Sequence, residues 1–261
     1  MNPNNTLIFI GDIVGEPGLA FLEARLPKLI LEHQADFVVA NAENLTLCDD
    51  GAGMTRKTLE RLFATGVQLV TGGNHSWDGP EGVTVHDDPR VLRPINADPS
   101  RPGRGAGVIT AANGTRLGVV NVAGRSAIPD VRDPLESLET QLQHWDVDAV
   151  LVDFHGESVF EKTVVAYALA GRIAALLGTH THVQTRDERV VEDGVALVSD
   201  VGMTGPSGGA QGYDPAGFVA RLRSHGAARP PLELARGRVE LGAVVVKLEG
   251  ARAVAVQRLT L

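Results

Sequence analysis

Five short segments of this chain set oxygen or imidazole donors beside a tight turn: Gly11-Asp12, Asn41-Ala42-Glu43-Asn44, Gly73-Asn74-His75, Asp153-Phe154-His155-Gly156 and Gly178-Thr179-His180-Thr181-His182. A single Asp or Asn in such a place most often ends a strand or caps a helix. Five together supply donors for two divalent cations, and paired imidazoles at a Gly turn are uncommon without a metal. Two cations about 4 Å apart can clamp a phosphate, turn a bridging water into hydroxide near neutral pH and stabilise the entering and leaving oxygens. A bidentate carboxylate between them offsets their repulsion, and Glu43 is the candidate. Asp12 offers a terminal carboxylate, His155, His180 and His182 offer imidazole nitrogens, and Asn44 and Asn74 bring neutral carbonyl oxygens. Such a mixed set suits Mn, Fe or Zn better than Ca or Mg. His75, beside Asn74, is the expected general acid, an imidazolium that protonates the departing alkoxide.

These donors need a frame, and each segment follows a short apolar run of strand type, which brings the donors to the carboxyl edge of a sheet. Strand Thr6–Ile10 leads through Pro17 into a helix near Leu19–Glu32, and strand Phe37–Ala40 delivers Asn41 to Asn44. A Gly/Asp-rich loop over Asp49–Gly53 precedes Thr55, the expected N-cap of a helix reaching about Thr65, and strand Gln68–Thr71 ends at the Gly-Asn-His turn. Pro80–Gly107 reads as a long irregular surface segment, a candidate lid or substrate rim. Asn113-Gly114 between Val108–Ala111 and Arg116–Asn121 signals a hairpin, repeated less cleanly at Asp193-Gly194 and Glu249-Gly250. Leu135, Leu138, Leu142 and Trp145 share a helix face, strand Ala149–Phe154 is apolar enough to be central, and a helix is expected from Glu161 to about Leu177. Val239–Leu248 and Val254–Leu261 form a closing hairpin. Two packed mixed sheets flanked by helices account for this order, in one domain over 1–261. His180 and His182 alternate, so in an extended segment their side chains start on opposite faces; they serve different metals only if the strand has ended.

The net charge of -8 argues against sequence-independent binding to long nucleic acid. It is compatible with a small anionic substrate held by metal. Cys48 is the only cysteine, which excludes an intrachain disulfide and points to a reducing compartment; with no base beside it, it reads as a packing residue. Met1–Asn5 lacks the basic and apolar regions of a signal peptide, and no apolar stretch is long enough to span a bilayer, so a cytoplasmic protein is expected. Gly205-Pro206-Ser207-Gly208-Gly209 lacks the Gly-Lys-Ser/Thr ending of a P-loop. The glycines and Thr204 of Asp200–Pro206 would let backbone approach a phosphate or a neighbouring subunit. His33, His86, His144 and His225 lie outside the donor turns and read as structural or solvated.

The set Gly11-Asp12, Gly73-Asn74-His75 and Gly178-Thr179-His180-Thr181-His182 resembles the calcineurin-like metallophosphoesterases. With Gly11-Asp12-Ile13-Val14-Gly15, Asn41-Ala42-Glu43-Asn44, Asp153-Phe154-His155-Gly156-Glu157, Gly178–Thr185 and Asp200–Pro206, the chain is more closely similar to their YmdB-type branch, known as phosphodiesterases of 2',3'-cyclic nucleotides. The resemblance implies a four-layer α/β/β/α sandwich and a binuclear iron or manganese centre. It puts Asp12, Glu43, Asn44 and His182 on one metal, Glu43, Asn74, His155 and His180 on the other, and His75 as proton donor. The implied product is a 3'-nucleotide. A broader phosphoesterase, or a regulatory nucleotide or RNA-end binder with incidental hydrolysis, is the alternative, and a homo-oligomer stays open. Two departures from the wider superfamily stand out: Val14 replaces the His of its Asp-x-His motif, and Ser76 replaces the acid that often follows Gly-Asn-His, leaving Asp78 to orient His75 indirectly.

Overall fold

The computed structural model describes residues 4–48, 51–226 and 230–259. Along the chain run β1 (Asn4–Ile10), α1 (Gly15–His33), β2 (Phe37–Asn41), the small hairpin β3 (Thr46–Cys48) and β4 (Gly51–Gly53), α2 (Arg56–Ala64) and β5 (Leu69–Thr71). Then come β6 (Ala106–Thr110), β7 (Arg116–Ala123), α3 (Pro134–Gln141), β8 (Ala149–His155), α4 (Val159–Ala168) and β9 (Ala175–Thr179). The last third holds β10 (Arg189–Val191), β11 (Val195–Val198), β12 (Gly205–Pro206), α5 (Pro215–Arg223), β13 (Val239–Glu240), β14 (Ala243–Glu249) and β15 (Arg252–Leu259).

Two mixed sheets carry the fold, one ordered β15-β14-β1-β2-β5 and the other β10-β11-β9-β8-β7-β6. Alternation along each strand sorts side chains into layers. Leu7 and Phe9 of β1 face inward with Phe37, Val39, Leu117, Val119, Leu151, Leu177 and Val244, filling the space between the sheets. Ile8 and Ile10 turn the other way, against Leu19, Leu22 and Leu26 of α1 and Leu59 and Leu62 of α2. On the far side Val120, Val150, Val152 and Leu176 pack under Leu138 of α3, Val165 of α4 and Leu169 just after it. The result is the expected α/β/β/α sandwich. Strands β1, β2 and β5 run parallel, as do β7, β8, β9 and β11, so their carboxyl ends gather at one edge. Among the described residues no helix is long and apolar enough to cross a membrane.

Several boundaries differ from the expectations. The helix expected to run to Leu177 stops at Ala168; Gly171 turns the chain at φ +77°, and 175–179 form β9, buried on both faces between β8 and β11. A helix there would leave the middle of the sheet unpaired. Residues 51–53 are a strand of a two-stranded hairpin, whereas Asp49 and Asp50, like 260–261 at the end of the closing hairpin, lie outside the described residues. Strand β14 starts at Ala243, because Val239–Glu240 pairs with β12 instead. Helix α1 starts at Gly15, with Pro17 in its first turn, and α3 ends at Gln141; Leu142 and Trp145 still pack on the α3 cluster from the following turn. The Pro80–Gly107 segment is no free rim: Val85, Val91 and Leu92 are fully buried, and bridges tie Val91 to Val70 and Leu92 to Arg104. All three hairpin signals hold, with Gly114, Gly194 and Gly250 each at positive φ in the turn.

Candidate metal centre

All five donor segments converge at that shared sheet edge. Strand β1 ends into Asp12, β2 into Glu43 and Asn44, β5 into Asn74 and His75, β8 at His155, and β9 into His180 and His182. The glycines before the donors have a steric reason. A Cβ on Gly73 would stand 2.2 Å from Glu43 Oε2 and 2.3 Å from His155 Nε2, and one on Gly11 would meet the carbonyl oxygen of Gly202 at 1.8 Å. Gly202, within the Asp200–Pro206 segment, thus approaches the Asp12 turn; that segment continues into Thr204, whose N–H donates to the Asp12 carbonyl. The close approach expected there is to the chain's own first donor turn.

Lone pairs crowd together at the centre. Glu43 Oε1 at 3.2 Å, Asn74 Oδ1 at 2.9 Å and His180 Nδ1 at 3.0 Å all face His155 Nε2. One nitrogen carries at most one proton, so it cannot satisfy three acceptors at once. On the other side of Glu43, Asp12 Oδ1 lies 3.8 Å from His182 Nε2 and is buried without a hydrogen bond among the described residues. Two groups of ligand atoms, each within 4.8 Å, result: Glu43, His155 and His180; and Asp12, Glu43 and His182, with Glu43 common to both. A buried acceptor with no donor, beside imidazoles aimed at carboxylates, suits cations.

The far nitrogen of each imidazole is engaged, which fixes the tautomer. His155 Nδ1–H donates to Thr179 Oγ1 (3.0 Å), whose hydroxyl donates to Asp153 Oδ1 (2.7 Å). His182 Nδ1–H donates to the Gln211 carbonyl at 2.8 Å. His180 Nε2–H donates to Glu157 Oε1 at 3.1 Å. His155 and His182 therefore turn Nε2 inward, and His180 turns Nδ1 inward. The alternation expected of an extended 180–182 segment does not occur, because the strand ends at Thr179 and both histidines take positive φ, +103° and +63°. Asn44 departs in one respect: Nδ2, not Oδ1, faces Glu43 Oε1 (3.0 Å) and His182 Nε2 (3.4 Å). A half-turn of the amide brings the oxygen inward.

Electrostatics follow from burial and charge. Burial disfavours the imidazolium of His155, but Glu43 and then Asp12 outweigh it and push its pKa up to about 9. Burial, with His155 next, drives His180 down to about 3. Burial raises the carboxyls of Asp12 and, to about 6, Asp153. Glu43 is held low despite its burial, chiefly by His155.

His75 stands at the mouth, its side chain 31% exposed, with Nδ1 2.7 Å from Asp78 Oδ2. The orienting acid is thus direct, three residues on. Burial lowers the His75 pKa, but the Asp78 hydrogen bond and the Glu43 charge more than offset it, so the net shift is upward. Its backbone N–H donates to Glu43 Oε2 at 3.0 Å, tying His75 to the carboxylate common to both groups of ligand atoms. Behind the turn, buried His86 Nε2 bonds the Ser76 carbonyl at 2.8 Å, the structural role expected of it.

Several supporting residues escaped the sequence reading. Asp153, Thr179 and Glu157 sit inside the quoted motifs, yet their partners are tertiary. Buried Lys162 donates to the carbonyls of Thr179 (3.0 Å) and Ser199 (2.7 Å) and lies 3.4 Å from Asp200. The signal was there: Lys162 occupies the buried stripe of α4 with Val165 and Ala166. Tyr213, whose hydroxyl bonds Asn44 Oδ1 at 2.9 Å, left no local sign.

Two packed mixed sheets between helices, with carboxylates, amides and imidazoles at their common edge, define the metallophosphoesterase class. Within that class the chain belongs to the YmdB-like protein family, whose profile matches residues 8–259. It is 35% identical over 246 residues to the 2',3'-cyclic-nucleotide 2'-phosphodiesterase of Bacillus subtilis, covering 93% of this chain and 91% of that one. Among solved structures, a hypothetical protein from Thermus thermophilus superposes with a TM-score of 0.90 at 36% identity, covering 98% of both chains. A phosphatase from Mycoplasma pneumoniae gives 0.90 at 30% identity, covering 100% of this chain and 94% of its own.

Proposed function

We propose that this chain is a two-metal phosphodiesterase that opens 2',3'-cyclic nucleotides to 3'-nucleotides. The observation that carries the reading is the three lone-pair atoms facing His155 Nε2 within 3.2 Å, on one side of a Glu43 carboxylate whose other side meets an unsatisfied Asp12 oxygen. Asp12, Glu43, Asn44 and His182 would hold one cation, and Glu43, Asn74, His155 and His180 the other; iron or manganese fits this donor set, with zinc also compatible. When bound, such ions supply Lewis acidity to phosphate oxygens and acidify water. The protein's own part is positioning and proton transfer. Water adds to phosphorus as the bond to the ribose 2' oxygen breaks, and the proton that the water loses passes to solvent, from which His75 is reprotonated after turnover. His75, with Nδ1 fixed on Asp78, gives the Nε2 proton to that oxygen, leaving a 2'-hydroxyl and a 3'-phosphate. Against the opposing effect of burial, the Asp78 hydrogen bond and the Glu43 charge shift the His75 pKa upward, the direction that favours the imidazolium a proton donor needs. The similarity to the B. subtilis phosphodiesterase supports the substrate class and the side of cleavage.

The test pairs metal analysis of the purified protein with initial rates on 2',3'- and 3',5'-cyclic nucleotides, model diesters and monoesters. Two transition-metal ions per chain and preference for the 2',3' compounds are expected; equal rates on simple monoesters would remove the cyclic-nucleotide assignment. His75→Ala should keep both ions and lose about 10²–10⁴ in kcat.

A further inference from the structure

We infer that the turn Ala210–Tyr213 is a clamp for one half of the centre, in which the Gln211 carbonyl and the Tyr213 hydroxyl orient His182 and Asn44 and so set the affinity for one cation of the two. The inference rests on the two-cation reading above. Both clamped side chains belong to the same proposed ion. The Gln211 carbonyl holds His182 through Nδ1 at 2.8 Å, and the Tyr213 hydroxyl meets the Asn44 amide at 2.9 Å.

The turn is built to keep these two atoms where they are. Ala210 and Tyr213 exchange both backbone hydrogen bonds, at 2.9 and 3.0 Å, and the Gly212 carbonyl accepts from Ala235. Gln211 sits at φ +54°, a region a non-Gly residue occupies at a cost unless its surroundings impose it. Gly212, at φ +87°, has no room for a Cβ, which would stand 2.9 Å from Val14 Cγ1 and 3.2 Å from Met203 Sδ. Val14 and Met203 also pack on the Tyr213 ring, and Phe218 meets that ring edge-on at 6.1 Å. Tyr213 is only 4% exposed, so its hydroxyl has little recourse to water and depends on the Asn44 amide.

A phenol suits this place. It donates to Asn44 Oδ1 as seen, and it can equally accept from Nδ2 once the amide makes its half-turn. Tyr213 therefore holds the amide plane with either end inward. It touches none of the reacting atoms and is a positioning residue.

Tyr213→Phe keeps the ring and deletes only the hydroxyl. Full-length protein is dialysed against stepped free Mn²⁺ and the bound ions are counted, with thermal melting at saturating Mn²⁺ alongside. The expected result is that one of two ions binds about 10- to 100-fold more weakly, the other is unchanged, and the melting temperature at saturation stays that of the parent. In an Asn44→Ala background the same substitution should have no further effect on metal affinity. Wild-type affinity at both positions, or an effect that persists without Asn44, would overturn the clamp. Parent protein that saturates with a single ion would overturn the two-cation reading itself, a distinct result visible before any variant is made.

Discussion

On one side of Glu43, His155 leaves the end of a strand buried on both faces, and its ring is tied through Thr179 to Asp153. That carboxylate also accepts from Thr71 of β5 and Asn41 of β2, so it bolts the two sheets together directly beneath the centre. On the other side, Asn44 and His182 are fastened by a turn that belongs to neither sheet. Both sides supply nitrogen and oxygen at similar spacing, yet one is part of the core and the other rests on a strap laid over it. A ligand held by the core cannot be loosened without loosening the fold, whereas a ligand held by the strap can.

The largest effect that follows is on folding. Lys162 joins α4 to Thr179 at the end of β9, to Ser199 and to Asp200, all buried. Lys162→Met removes the cation and leaves the Asp200 carboxylate without its charge partner, which should cost about 3–5 kcal/mol of stability in denaturant unfolding. A loss under 1 kcal/mol would show that this pair is not integral to the core side. Next comes Thr179→Val, which keeps the side-chain shape and deletes the hydroxyl between His155 and Asp153. Two buried groups lose their partner, so a cost of about 1–3 kcal/mol is expected, with metal affinity at the His155 side falling about 10- to 100-fold. Stability and affinity should fall together here, in contrast with Tyr213→Phe. An affinity loss with full stability would erase the distinction between the two sides.

This contrast also explains what was readable in the sequence. The donor turns were legible because each puts a donor at a strand end, beside a glycine at Asp12, Asn74 and His155, so these residues and Glu43 announce themselves locally. The layers were legible from the order of short apolar strands, amphipathic helices and hairpin signals, which calls for two packed mixed sheets flanked by helices. The run to Leu177 misled because Ile173–Leu177 is apolar throughout and carries no period that tells a buried helix from a buried strand; only the neighbours β8 and β11 decide it. Partnerships across long separations were not legible. Asp153 with Thr71, Lys162 with Ser199 and Tyr213 with Asn44 each depend on the finished packing, and Asn44 and Tyr213 lie 169 residues apart. Asp78 falls between these cases: it is close to His75 in sequence, but that its carboxylate reaches Nδ1 directly depends on the path of the turn.

The smallest effect separates backbone from side chain within the strap. His182 is held by the carbonyl of Gln211, while among the described residues the Gln211 side chain makes an exposed hydrogen bond from Nε2 to the Thr181 carbonyl at 3.3 Å. Gln211→Ala keeps a Cβ, so the cost of its left-handed backbone stays nearly the same, and the carbonyl has no reason to move. Metal affinity should remain within about twofold of the parent, the range of an ordinary surface substitution, in the same Mn²⁺ dialysis that tests Tyr213→Phe. A tenfold loss would mean that the side chain, not the constrained backbone, holds His182. The strap would then be a flexible contact, and the left-handed φ at Gln211 would lose its explanation as the conformation that aims the carbonyl.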